Sequence, residues 1–313
     1  MMLADWIISI FLLPATLVPA LGPQRPEGWT GETVLLRKSN TPFYRKVRPD
    51  DADPNTPDGT LRGIEHRVVQ DLGEKVVLFT MGAEVLVNKE DLVLLTDAVA
   101  HFTEEIEREP TDSRAFAFRG WALYRRGKGD DALKDYAEAI RLAPSVSDWH
   151  NNRAVIHNSR KEYDQAIADL NAALQLNPNS ALAHGNRAVA RMGKKEYDKA
   201  IADYERSIQL IPNMAGPHNG LAWVLATCPD EKYRDGKRAV EFAKKACELT
   251  GWRVGSFLDT LAAAHAEYGD FDEAVKWQVR ALDASDIPKA ELEPIRKRLQ
   301  MFKEKKPYRI EEK

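Results

Sequence analysis

Three histidines, His150, His184 and His218, stand 34 residues apart, and a histidine that returns at a fixed interval is first of all a candidate metal ligand. Imidazole nitrogen binds zinc at about 2 Å, so three or four donors must converge on one point. Side chains that return once per structural repeat do not converge. They project in parallel from elements whose axes lie about 8–10 Å apart. A bulky packing residue in each repeat accounts for the same interval without convergence, and no metal or cofactor is expected. The two cysteines, Cys228 and Cys247, form no CxxC, which argues against a zinc site or a disulfide scaffold. They fall near opposite ends of antiparallel elements, too far apart for a bond to each other. There is no glycine-rich phosphate loop and no Ser/His/Asp grouping with local support, so no catalytic residue is assigned and an enzyme is not expected.

Asparagine offers a different chemistry. Asn152 and Asn186 are also 34 residues apart. A primary amide both donates and accepts, so it can pair with the backbone of an extended peptide of any sequence. Phe118, Gly220 and Thr260 interrupt this ladder at the equivalent places. Solvated polar residues with no ligand would give the same pattern, and both readings stand on the sequence.

The elements that must position these side chains are set by a register. Ala98, Ala132, Ala166 and Ala200 recur every 34 residues, and Pro110, Pro144, Pro178 and Pro212 follow them in step. A fixed period in the range of about 20–50 residues marks a stacked array of repeats. Within each period the apolar residues follow a helical spacing in two blocks. Ser113–Val146 carries Phe116, Gly120 and Leu123, then Ala132, Tyr136 and Ala139. Residues 147–180 and 181–214 repeat the pattern. The small residues allow close helix approach, the aromatic fills the gap to the next pair, and the proline stops the second helix. Asp130, Asp164 and Asp198 are placed to cap the second helices.

This pattern resembles the tetratricopeptide repeat. The resemblance implies a mainly α fold, a right-handed α-α superhelix of helix pairs. First helices line the inner face of such an array. The expected peptide-binding groove is therefore Trp121, Tyr124, Arg125, Asn151, Asn152, Asn158, Asn186, Asn219 and Trp223. Ala117, Trp121 and Leu182 stand where chaperone-associated members carry basic carboxylate-binding residues, which disfavours an acidic chaperone tail as ligand.

The register has edges. Residues 96–110 read as a docking helix, half a repeat, opened by Thr96-Asp97. Five repeats are expected over 113–285: 113–146, 147–180, 181–214, 215–250 and 255–285. The fourth slips by five residues, to Ala239, through an insertion at Thr227–Gly236. Residues 286–313 read as a capping helix, kinked or restarted at Pro294, with a loose charged tail.

Before the array, residues 25–95 hold short Val- and Leu-rich runs bounded by Gly and Pro, with an Asp/Pro loop at 48–59. Their order resembles a bacterial SH3-like β-barrel. Arg37, Lys38, Arg45, Lys46 and Arg48 read as a solvated strand edge or an anion-binding face, and Phe43, Tyr44 and Phe79 as core or a peptide groove. Residues 1–22 are an apolar segment too short to span a bilayer, and they fit a signal peptide despite lacking Lys or Arg. That reading implies a secreted, periplasmic or cell-envelope protein, with the cytoplasm as the alternative. The net charge of −3 predicts no nucleic-acid partner. The expected function is a non-catalytic interaction scaffold holding a peptide or protein segment; the alternative is an accessory, substrate-recruiting subunit of an envelope enzyme complex. The sequence does not fix the oligomeric state.

Overall fold

The computed structural model describes residues 33–36, 42–45, 59–60, 65–71, 75–80, 83–88, 90, 92–284, 286–287 and 292–311. The apolar segment 1–22 and most of the Asp/Pro loop lie outside them, as do the side chains of Arg37, Lys38, Phe43, Tyr44, Arg45, Lys46, Arg48 and Phe79. The expectations attached to those residues lie outside the described residues with them. The chain divides into two compact units, Pro19–Ser145 and a second containing Val146–Lys313.

In the first unit, strands β1 (Thr33–Leu36), β2 (Pro42–Arg45), β3 (Gly59–Thr60), β4 (Glu65–Asp71), β5 (Lys75–Thr80), β6 (Ala83–Asn88) and β7 (Leu92–Leu94) pair in the order β3-β2-β6-β5-β4-β1-β7. Each pairing is antiparallel, for example Val34 opposite His66 on one side and Leu94 on the other. Val34, Leu35, Val68, Val87 and Leu92 are buried. Among the described residues β3 and β7 do not pair with each other, so the expected closed barrel becomes a β-sheet.

Helix α1 (Ala98–Arg108) follows directly, and Leu95 N–H still bonds Thr33 O at 2.9 Å. Asp97 stands at its N-cap position, but its side chain makes no capping bond, contrary to expectation. Phe102 meets Phe118 of α2 (Ser113–Arg125) edge to face, with centroids 5.4 Å apart. Helix α3 (Gly129–Leu142) packs back on α2, with Ala132, Tyr136 and Ala139 buried.

The second unit continues as pairs: α4 (Ser147–Ser159) with α5 (Tyr163–Leu176), α6 (Ala181–Gly193) with α7 (Tyr197–Leu210), α8 (Ala215–Thr227) with α9 (Gly236–Leu249), and α10 (Gly255–Tyr268) with α11 (Phe271–Leu282). Helix α12 (Leu292–Lys303) packs on α11 and α10. First helices also meet one another, α4 with α6, α6 with α8 and α8 with α10. The protein is thus mainly helical, with consecutive helix pairs. The second helices end two residues before Pro144, Pro178 and Pro212, because proline has no N–H to extend the ladder.

Three local expectations change. The N-cap residues of α3, α5 and α7 are Lys128, Glu162 and Glu196; Asp130, Asp164 and Asp198 each lie two residues further on, in the first turn. There a carboxylate is favoured by the helix dipole. Pro294 falls in the first turn of α12 as described, Leu292–Lys303, where the missing N–H has no partner to lose, so it breaks no ladder bond there. The tail is not loose: Ile310 is buried, and its N–H bonds Thr227 O at 3.0 Å.

Candidate peptide-binding surface

Within each first helix the candidate residues fall on one face, drawn from the fifth, sixth, ninth, twelfth and thirteenth positions. In the first unit Trp121 is buried, its ring 5.6 Å from that of half-buried Tyr124, and Arg125 is half-buried. In the second unit the asparagines are mostly inward. Asn186 donates to Asn151 Oδ1 at 2.9 Å, Asn151 donates to Asn152 Oδ1 at 3.2 Å, and Asn158 donates to Asn186 O at 3.0 Å. Asn151, Asn158 and Asn186 are buried, while Asn152 is half-buried. These bonds join α4 to α6, so the amides act first as a staple between successive pairs. Leu182, in the first turn of α6, is 50% exposed and lies on the same stripe.

Asn219 and Trp223 of α8 are buried as well, and neither amide atom of Asn219 has a partner among the described residues. Gly220 interrupts the ladder for a packing reason. A Cβ there would stand 2.5 Å from the ring of Tyr204, which fills the gap between pairs.

Two of the three histidines reach back toward the preceding pair. His184 lies 3.0 Å from Asp203 Oδ1 and 3.1 Å from Pro178 O, and His218 lies 2.9 Å from Pro212 O. Each reaches the proline turn that closes the preceding pair, the packing role the interval suggested. Among the described residues no group of three His, Cys, Asp or Glu is placed to hold a metal ion. Cys228 and Cys247 are buried and free, and burial pushes the Cys247 thiol up to about 12.

A second register went unread in the sequence. Arg119, Arg153 and Arg187 recur at the 34-residue interval, as do Asp135, Asp169 and Asp203. Each arginine grips its aspartate with two bonds of 2.6–2.8 Å, tying first helix to second. Burial works to raise the Asp203 carboxyl, but hydrogen bonds from Arg187 and His184 outweigh it and hold the group below the ordinary carboxylate value. Past Asp203 the ladder stops. Leu221 replaces the arginine and, after the slip, Phe242 the aspartate; both belong to one apolar cluster.

A buried charge pair appears further on instead. Asp259 of α10 is fully buried and accepts from Arg298 Nε at 2.9 Å and from Gln278 at 2.5 Å. The Arg298 guanidinium lies 5.6 Å from the Trp223 ring centroid and 5.3 Å from that of Tyr308. Burial pushes the Asp259 carboxyl up, against the pull of Arg298.

Against known proteins, one family model for the tetratricopeptide repeat matches residues 95–147 and 119–181, and a second matches 181–214. Residues 95–214 thus match the tetratricopeptide repeat. The family matches end at residue 214, just ahead of the slip, while helix pairs of the same kind continue to Leu282. Among solved structures, the chain resembles the APC/C hetero-tetramer Cut9–Hcn1 at 15% identity and a TM-score of 0.58, covering 66% of this chain and 39% of that one. It resembles yeast Tom70 at 20% identity and a TM-score of 0.51, covering 66% and 42%. Both likenesses are of fold. TTC0263 from Thermus thermophilus aligns at 17% identity and a TM-score of 0.49, over 61% of this chain and 98% of that one. Comparison with curated protein sequences gives no match. No described helix is long and apolar enough to cross a membrane.

Proposed function

We propose that this tetratricopeptide-repeat protein is a non-catalytic interaction scaffold that holds a peptide or protein segment against its first helices. One observation carries this reading. On the α4–α6 face Asn152 is half-buried and, among the described residues, is engaged through its Oδ1, by Asn151, while Leu182 stands half exposed on the same stripe of α6. An amide donor and an apolar side chain on neighbouring helices suit an extended backbone with an alternating side chain. Affinity capture with the full chain, repeated with Asn152→Ala and Leu182→Glu, tests it. The expected result is a reproducible partner that both variants lose. A partner retained by both, or none at all, would overturn the assignment to this face. Asn151, Asn158 and Asn186 are poor test sites, because losing them unstaples the helices.

We infer further that residues 25–95 form an SH3-like domain. The order β7-β1-β4-β5-β6, with β4, β5 and β6 as consecutive hairpins, supports it. A secreted or envelope location rests on the apolar run Trp6–Leu13, and sequencing the N-terminus of the mature protein tests it.

A further inference from the structure

The stripe that α4 and α6 leave partly open is buried on α8 and α10, and the protein's own C-terminal segment covers part of it, at Trp223, Thr227 and Glu267. Helix α12 ends at Lys303, and the chain turns at Lys305, whose φ of 55° is left-handed. The Lys305 and Lys306 N–H groups close that turn on Phe302 O and Met301 O, at 3.0 and 2.9 Å. Pro307 follows, and the next three residues run across the ends of the two first helices. The Tyr308 ring lies 5.9 Å from that of Trp223, the ninth residue of α8. Arg309 Nη2 pairs with Glu267 Oε2 at 2.5 Å, near the end of α10. Ile310 N–H bonds Thr227 O, the last carbonyl of α8, and the Ile310 side chain is buried.

These contacts have the form of a bound peptide. An extended segment offers an aromatic, a cation and an aliphatic in succession, and each finds a complementary group on the first-helix stripe. The wall that receives the arginine is built by the insertion. Glu267 is held from its other side by Arg234 Nε at 3.1 Å, and Arg234 also donates to Cys228 O and Pro229 O at 3.0 and 2.9 Å. The slip at Thr227–Gly236 thus supplies the residue that orients the glutamate.

We propose that the α8–α10 face is a second peptide site, held shut by residues 305–311, and that the partner it fits is an extended segment presenting an aromatic residue, an arginine and an aliphatic residue in that order. The segment is tethered, so it competes at high effective concentration, and a partner binds only to the fraction of molecules in which it has lifted. This extends the interaction reading to different helices. The capture experiment on the α4–α6 face leaves the segment in place, whereas the test below needs no foreign partner, so the two fail independently.

The test uses a fluorescent peptide with the sequence of residues 304–311, the full chain, and a full-length variant carrying Tyr308→Ala and Arg309→Glu. Anisotropy should show the variant binding the peptide at least about tenfold more tightly than the unaltered chain does. A peptide with its arginine changed to glutamate should not bind the variant. A variant that keeps its helical circular dichroism but ignores the peptide would overturn the proposal, as would equal binding by the unaltered chain or by the charge-reversed peptide. If the variant does not fold, hydrogen exchange on the unaltered chain decides. The Ile310 amide should exchange at least about tenfold faster than amides of the α8 interior, because the segment lifts without global unfolding. Exchange at the same rate would show that residues 305–311 are fixed packing and would overturn the proposal.

Discussion

Repeats two and three and repeats four and five share one backbone plan but hold it with different chemistry. In the earlier pair each first helix is tied to its second by an arginine–aspartate fork, Arg153–Asp169 and Arg187–Asp203, and the asparagines staple α4 to α6. In the later pair the fork is replaced by apolar packing, and one charge pair, Asp259–Arg298, is sealed in the interior. The difference teaches where each region spends its first helices. Almost every residue of α8 and α10 is buried, and a helix apolar on all sides must be covered on all sides. Helices α4 and α6 keep part of their stripe in water, the face proposed above for another molecule.

The largest break in this comparison is expected at the sealed pair. Arg298→Met strands the fully buried Asp259 carboxylate, and removing one partner of a buried ion pair costs about 3–5 kcal/mol. Adding Asp259→Leu should recover most of that loss, since an apolar pair of similar volume avoids desolvating both charges. Urea unfolding of the two single variants and the double variant measures the coupling. A double variant as unstable as Arg298→Met would show that the pair is more than a matched charge. By contrast Arg187→Met should cost only about 1.5–3 kcal/mol. Asp203 would keep Arg191 at 2.7 Å and His184 at 3.0 Å, and its arginine partners touch water.

How much of this contrast was legible follows from its physical origin. The alanine and proline register showed the helix pairs because small residues and helix stops act locally. The near-continuous apolar text of Ala215–Thr227 belongs to a helix covered almost all round. The arginine and aspartate registers are equally visible at the 34-residue spacing, but charge at a helical interval fits a solvated face as well as a fork, and spacing does not separate the two. The asparagines were placed on the right helices; their inward bonds depend on which neighbour each amide meets, and spacing does not carry that. The docked tail was out of reach. Glu267, Arg234 and Arg309 meet only through the slip and the turn at Lys305.

Acidity should separate the regions next. Burial is the main influence holding the His218 and His265 imidazoles below their ordinary value. At His218, Lys245 adds to it and the Pro212 carbonyl opposes; around His265, Lys244 and Lys276 add to it, while Asp270 and Glu273 oppose. Unfolded histidine takes a proton near pH 6.5, whereas these two accept one only at lower pH. The unfolded state therefore binds more protons below about pH 6.5, and stability is lost as pH falls through that value, by at most about 1.4 kcal/mol per unit for each group. Asp203 behaves differently: its folded value is depressed, so its contribution persists until pH falls through the ordinary carboxylate range near 4. Asp259, raised by burial, works in the opposite direction to the histidines, so variants must isolate them. Between pH 7.5 and 5.5 amide exchange, corrected for its slower intrinsic rate at the lower pH, should quicken in α8 and α10 more than in α6, and His218→Gln with His265→Gln should flatten the change. Equal quickening in α6 would remove the distinction.

The smallest effect should be the one both regions share. The turn from first to second helix needs a left-handed residue, and the chain uses Lys195 at φ 59° in the third repeat and Gly269 at φ 90° in the fifth. A side chain in that conformation costs about 1–2 kcal/mol, partly offset because glycine loses more freedom on folding. Lys195→Gly should then stabilise by at most about 1 kcal/mol, and Gly269→Ala should cost about as much. Nothing lies within 4 Å of a Cβ built at Gly269, so the loss would report backbone conformation without a clash. Matched, opposite shifts in thermal midpoint would mean that the two regions differ in what ties their helices and not in how the chain turns between them. A much larger loss at Gly269 would show that the tightly covered last pair tolerates no relaxation in its turn, and the contrast between the regions would then reach the backbone itself.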